Sequence, residues 1–131
     1  MCQRARFLNR KTQGRINSPG NGDRVSRLFR AEGTIDGLPA GQHLLLLVEV
    51  GGLKWPKCEV QVNNTSWDAN VYEGGTPPHG KFTLSLYAVS RKGYDEIAAW
   101  LERGKATGDY PGLGQFKDGI RLDSITLRLE S

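Results

Sequence analysis

Along much of the chain, apolar and polar residues alternate one by one. Phe29, Ala31, Gly33 and Ile35 are interleaved with Arg30, Glu32 and Thr34, a period of two that predicts a strand with one buried face. Trp67, Ala69 and Val71 stand opposite Asp68, Asn70 and Tyr72 in the same way. So do Phe82, Leu84, Leu86 and Ala88 against Thr83, Ser85 and Tyr87, and Ile125, Leu127 and Leu129 against Ser124, Thr126 and Arg128. The stretch His43–Val50 differs, because its leucines are continuous, as suits a central strand covered on both sides. Residues 58–62 and the strand at Trp67 are expected to pair as a hairpin across Asn63, Asn64, Thr65 and Ser66.

The pattern changes once. Over residues 94–103 the apolar positions Tyr94, Ile97 and Leu101 follow helical spacing, with Trp100 adjoining, and Gly104 is placed to end the helix. Between these elements lie clusters of turn residues: Ser18-Pro19-Gly20-Asn21-Gly22, Asp36-Gly37-Leu38-Pro39, and Gly74-Gly75 followed by Pro77-Pro78. Residues 51–57 and 105–119 read as loops. Short strands at intervals of roughly ten residues with one short crossover helix predict an all-β fold, an immunoglobulin-like Greek-key β-sandwich of about seven strands. A small open barrel is the main alternative.

Length agrees with one such domain, since 131 residues can bury a core without disulfide or metal staples. Charge divides the chain in two. Residues 1–30 hold eight basic groups against the single acid Asp23, whereas the remainder holds ten basic and thirteen acidic groups, so the net +4 resides in the N-terminal arm. Residues 1–14 are therefore read as a disordered basic arm or linker remnant, and residues 15–131 as the sandwich. Such an arm implies no specific nucleic-acid binding by the domain. Cys2 and Cys58 are too few and too ill-placed for a disulfide framework. No secretion signal is visible in the first 30 residues and the longest apolar run, Leu44–Val48, is far shorter than a membrane span, so a cytoplasmic location is favoured.

Several stretches carry a resemblance. "INSPGNGDRV", "EGTIDGLPAG", "WDANVY", "FTLSLYAV", "AAWLERGKATGDYPGL" and "LDSITLRL" resemble bacterial immunoglobulin-like or fibronectin-like accessory domains of a type found in actinobacterial multidomain proteins. The resemblance covers about residues 15–131. It implies the sandwich fold and no activity.

Candidate chemistry is sparse. His43 begins a strand and His79 sits in a Pro-Gly loop, neither with a second ligand at metal spacing, so no metal site and no cofactor is expected. Cys58 lies in an apolar-alternating segment where an inert buried thiol is the usual state, and no Gly-x-Ser-x-Gly elbow is present. The glycine-rich "ERGKATGDYPGLG" follows a helix and lacks the spacing of a phosphate loop. The Asn63-Asn64-Thr65 and Asn64-Thr65-Ser66 sequons matter only in a glycosylating secretory pathway. No enzyme activity is expected.

Aromatic residues are the stronger lead. Trp67 belongs to the predicted core and Trp100 to the helix face, but Trp55 lies in a predicted loop between Lys54 and Lys57, with Pro56 fixing the backbone after it. There it is either an exposed ring for stacking or an aromatic plug at the end of the sandwich. Tyr72 and Tyr110, each beside a glycine-rich loop, can join the same surface. The candidate binding residues are thus Lys54, Trp55, Lys57, Tyr72 and Tyr110, and the two lysines would favour an acidic partner. A non-enzymatic interaction module with a protein partner is the leading expectation. Carbohydrate binding is the alternative, which calls for two or three rings on one surface.

Overall fold

A computed structural model describes residues 12–114 and 119–130. Most of the expected arm therefore lies outside the described residues. The first strand begins at Gln13, two positions ahead of the boundary drawn from charge, with the Thr12 hydroxyl donating to the Gly37 carbonyl at 2.8 Å.

The fold is mostly β, with two sheets and one α-helix. Its elements are β1 (Gln13–Ser18), β2 (Arg24–Val25), β3 (Leu28–Asp36), β4 (His43–Val50), β5 (Leu53–Glu59), β6 (Gln61–Asn63), β7 (Ser66–Tyr72), β8 (Lys81–Val89), α1 (Arg91–Thr107) and β9 (Gly119–Leu129). One sheet has the order β1-β3-β7-β6 and the other β2-β9-β8-β4-β5. All pairings are antiparallel except that of β2 with β9.

Alternation decides the burial. Along β3 the residues Phe29, Ala31, Gly33 and Ile35 are buried and their neighbours exposed, and β7 buries Trp67, Ala69 and Val71. These meet Leu44, Leu46, Val48, Phe82, Leu84, Leu86, Ile125 and Leu127 of the second sheet in one inter-sheet core. Trp67 is 2% exposed, and its indole N–H is shared between the Arg15 and Thr34 carbonyls at 3.1 Å each. The leucine run of β4 is covered on both faces, as its continuity predicts. Leu45 and Leu47 point away from the core into a second cluster with Tyr87, Val89 and Ile97, where α1 covers the sheet. Each such side chain contributes about 1.5–3 kcal/mol by leaving water.

Four expectations about the elements require correction. Nine strands form among the described residues, not seven, and the additional ones are short or marginal: β2 and β6 span two and three residues. Residues 51–57 are not a loop. Most of them belong to β5, which tolerates Pro56 because it is an edge strand, where a missing N–H interrupts no ladder on the open side. In consequence residues 58–62 are split between sheets: Cys58 pairs with Leu46, whereas Val62 pairs with Trp67.

The helix is also longer than its apolar spacing suggests. Ser90 caps it by accepting from the Gly93 N–H at 3.1 Å, and Gly108, at φ 75°, ends it in the left-handed region. Gly104 is an interior residue. Asp95 consequently lies beyond the first turn, paired with Arg91 at 3.8 Å. Among the described residues no helix is long and apolar enough to cross a membrane.

Candidate functional site

Beside β5, between the β7–β8 loop and the second half of α1, lies a cleft of about 710 Å³. Trp55, Lys57, Tyr72 and Tyr110 all line it, together with Trp100, Leu101, Val48 and Val50. Four of the five residues singled out from sequence are therefore brought together. Lys54 is not among them. Its backbone instead exchanges two hydrogen bonds with Leu113, at 2.9 and 2.8 Å, which closes the outer edge of β5 with a short strap of chain.

That strap is held by two indoles. Trp55 Nε1 donates to the Tyr110 carbonyl at 2.8 Å, and Trp100 Nε1 donates to the Pro111 carbonyl at 2.9 Å. Tyr110 in turn sets its ring edge-on to Trp100, with centroids 5.5 Å apart, directly over Gly104. A methyl group at Gly104 would overlap the Tyr110 ring, which explains a buried glycine within a helix despite its cost of about 1 kcal/mol relative to alanine. Trp55 is thus neither a free loop ring nor a plug. It is a half-buried strand residue with one edge spent on the strap and the ring lining the cleft.

Lys57 owes its direction to a β-bulge. Leu46 pairs with Cys58 and Leu47 with Pro56, so Lys57 is the extra residue, and its ammonium reaches Glu73 Oε1 at 2.7 Å. The approach is close enough for an ion pair but is not aligned as a hydrogen bond, and Oε1 is otherwise without a hydrogen-bond partner. Glu73 is 7% exposed; its Oε2 accepts from the Gly75 N–H at 3.0 Å. Arg27 anchors the same loop by donating to the Glu73 and Gly75 carbonyls at 2.9 and 2.7 Å. The expectation that Lys57 offers its charge to an acidic partner is corrected accordingly, since a buried carboxylate already neutralises it.

Tyr72 and Tyr110 present the accessible rings, at 60% and 42% exposure. Glu73 and Trp100 were not among the residues chosen from sequence. The signal for Glu73 was present: it continues the inward series Trp67, Ala69, Val71 by one more step of two, and a carboxylate at such a position demands a buried partner.

The other titratable candidates have local partners. His43 Nδ1 lies 2.7 Å from Glu59 Oε2 and its ring stacks on Tyr94 at 3.8 Å; the Glu59 carboxylate raises the Tyr94 phenol above its usual range. Cys58 Sγ faces the Asn70 carbonyl at 3.8 Å, and burial pushes its thiol up against the opposing effect of Lys57. Thiol and imidazole are thus engaged by different groups. No cluster of three or more metal-ligating side chains occurs among the described residues.

No protein-family model and no curated relative matches the sequence. Among solved structures, the chain is similar to the endo-beta-1,4-mannanase from Thermotoga petrophila, with a TM-score of 0.53 and 12% identity. The match covers 93% of this chain and 20% of that one, so this chain spans about a fifth of the mannanase. At that identity the likeness speaks for the fold alone.

Proposed function

We propose that this domain is a non-enzymatic interaction module on an immunoglobulin-like sandwich, which takes a segment of a partner protein into the cleft beside β5. The strand order supports the fold assignment, because β1-β3-β7-β6 facing β2-β9-β8-β4-β5 corresponds to the A-B-E-D and G-F-C order of that fold with added edge strands. It also accords with the accessory-domain resemblance of residues 15–131. The function rests chiefly on one observation: three separate segments deliver Trp55, Tyr72 and Tyr110 to a single open cleft. Aromatic anchors with rigid surroundings are what protein recognition sites use, since two-torsion side chains lose little entropy on binding.

A selection with a phage-displayed peptide library tests this function. Selected peptides are expected to lose about tenfold or more in affinity on Tyr72→Ala, the size of a moderate hot spot, with the melting temperature little changed. If no peptide is selected, or if the binders ignore both Tyr72→Ala and Tyr110→Ala, the interaction site is not this cleft.

Carbohydrate binding is a second reading. The same three rings meet the requirement for more than one aromatic, and the fold recurs as a fifth of a protein named as a mannanase.

A further inference from the structure

Trp55, Tyr72 and Tyr110, the rings that three segments bring to the cleft, each rest against a glycine. A β-carbon placed on Gly74 would stand 2.8 Å from the Tyr72 ring, and one on Gly112 would stand 2.8 Å from the Trp55 ring and 2.7 Å from Leu53 Cβ. On Gly104 it would overlap the Tyr110 ring. Carbon atoms that are not bonded to one another settle about 3.5–4.0 Å apart, so a side chain at any of these positions and the ring beside it cannot both keep their places.

These glycines differ from those in the turns. Gly22, Gly41, Gly51, Gly52 and Gly108 have φ between 57° and 88°, a region that favours glycine, and no atom of the described residues lies within 4 Å of where their β-carbons would be. Gly74, Gly104 and Gly112 lie outside that region of φ, so what excludes a side chain there is the neighbour and not the turn of the backbone. Gly33, against Trp67 in the core, is different again, since its nearest obstacle is the main-chain carbonyl of Arg15.

A ring against a glycine has a consequence for binding. Tyr72 and Tyr110 are exposed and Trp55 is half-buried, and exposed side chains ordinarily exchange among rotamers within nanoseconds. A glycine lets the ring lie close on the main chain, where one orientation has the most contact. Freedom given up before a ligand arrives is not lost again on binding.

We propose that Gly74, Gly104 and Gly112 are positioning residues of the cleft, each fixing the orientation of one ring before a ligand arrives. The use of those rings in binding rests on the interaction-module function; their placement does not.

The full chain is compared with Gly74→Ala, Gly104→Ala, Gly112→Ala and a control, Gly114→Ala, where a β-carbon would meet no atom of the described residues within 4 Å. By NMR, Gly104→Ala is expected to abolish the contact between the Tyr110 and Trp100 rings. Gly112→Ala should hasten solvent exchange of the Trp55 indole N–H, which is bonded to the Tyr110 carbonyl, and Gly114→Ala should do neither. The drop in urea midpoint caused by Gly104→Ala should shrink when Tyr110→Ala is also present. The Tyr72 ring can swing aside into solvent, so Gly74→Ala should keep the urea midpoint yet weaken the tightest peptide from the phage-displayed library about tenfold, as Tyr72→Ala does. The proposal is overturned if the ring contact and the slow indole exchange survive these substitutions, or if Gly104→Ala costs as much with Tyr110→Ala as without it. It is equally overturned if the peptide is weakened by Tyr72→Ala and not by Gly74→Ala. Should the rings move as expected while no peptide is selected, the glycine placement stands and the interaction-module function alone falls.

Discussion

Trp67 and Trp55 look alike in their immediate chemistry. Both are strand residues, and both donate the indole N–H to main-chain carbonyls. Yet Trp67 is enclosed between two sheets while Trp55 is half-buried, with its ring lining an open cleft. The difference lies in the strand and not in the residue. β7 sits between β3 and β6 with its inner face against a second sheet, whereas β5 is the last strand of its own sheet and is flanked only by the strap at Leu113. Aromatic residues packed between the two sheets hold the fold together, and those at an edge do so only in part, which leaves ring surface exposed.

The sharpest way to test that contrast is at the centre. Trp67→Ala empties a fully packed site and strands two carbonyls, and it is expected to cost about 3–5 kcal/mol, read as a lowered urea midpoint. A wild-type midpoint would mean that the sheet faces are assigned the wrong way round.

The cleft has a structural element of its own in the Lys57–Glu73 pair. Lys57→Ala leaves a buried carboxylate without its cation, an event that costs about 3–5 kcal/mol in fully buried pairs; here the lysine side chain is 22% exposed, so about 2–3 kcal/mol is expected. The double variant Lys57→Met with Glu73→Leu should recover most of that loss, because replacing both charges removes the desolvation penalty. Urea melts of the two proteins check this. If the single and double variants are equally destabilised, the pair is not what holds the loop.

The smallest effect is expected at Trp55 itself. Trp55→Phe keeps a ring in the cleft but removes the hydrogen bond to the Tyr110 carbonyl, and it should cost about 1 kcal/mol. Hydrogen exchange should quicken at the amides of Lys54 and Leu113, which bond across the strap, while the Ile35 amide at the far end of the core stays protected. Equal quickening at both places would erase the distinction between centre and edge.

What the sequence determined by itself was the local periodicity. Strands β3, β4, β7, β8 and β9 follow from alternation or continuous apolar character, because a side chain's face is fixed by its position in the chain at a step of two. The core role of Trp67 and the interest of Trp55, Tyr72 and Tyr110 were legible for the same reason, each being an aromatic residue at a known place relative to a strand or turn. Three matters were decided only in tertiary structure. A proline can stand in β5 because that strand is at an edge, and edge position depends on which strands pair. Gly104 stays within α1 because Tyr110 returns to cover it, so a residue that ends helices locally serves packing here. Above all, Lys57 and Tyr110, 53 positions apart in the chain, share one cleft, and Lys57 turns from a free cation into half of an ion pair with Glu73. Charge and exposure belong to surroundings, and surroundings come from long-range pairing that no local pattern specifies.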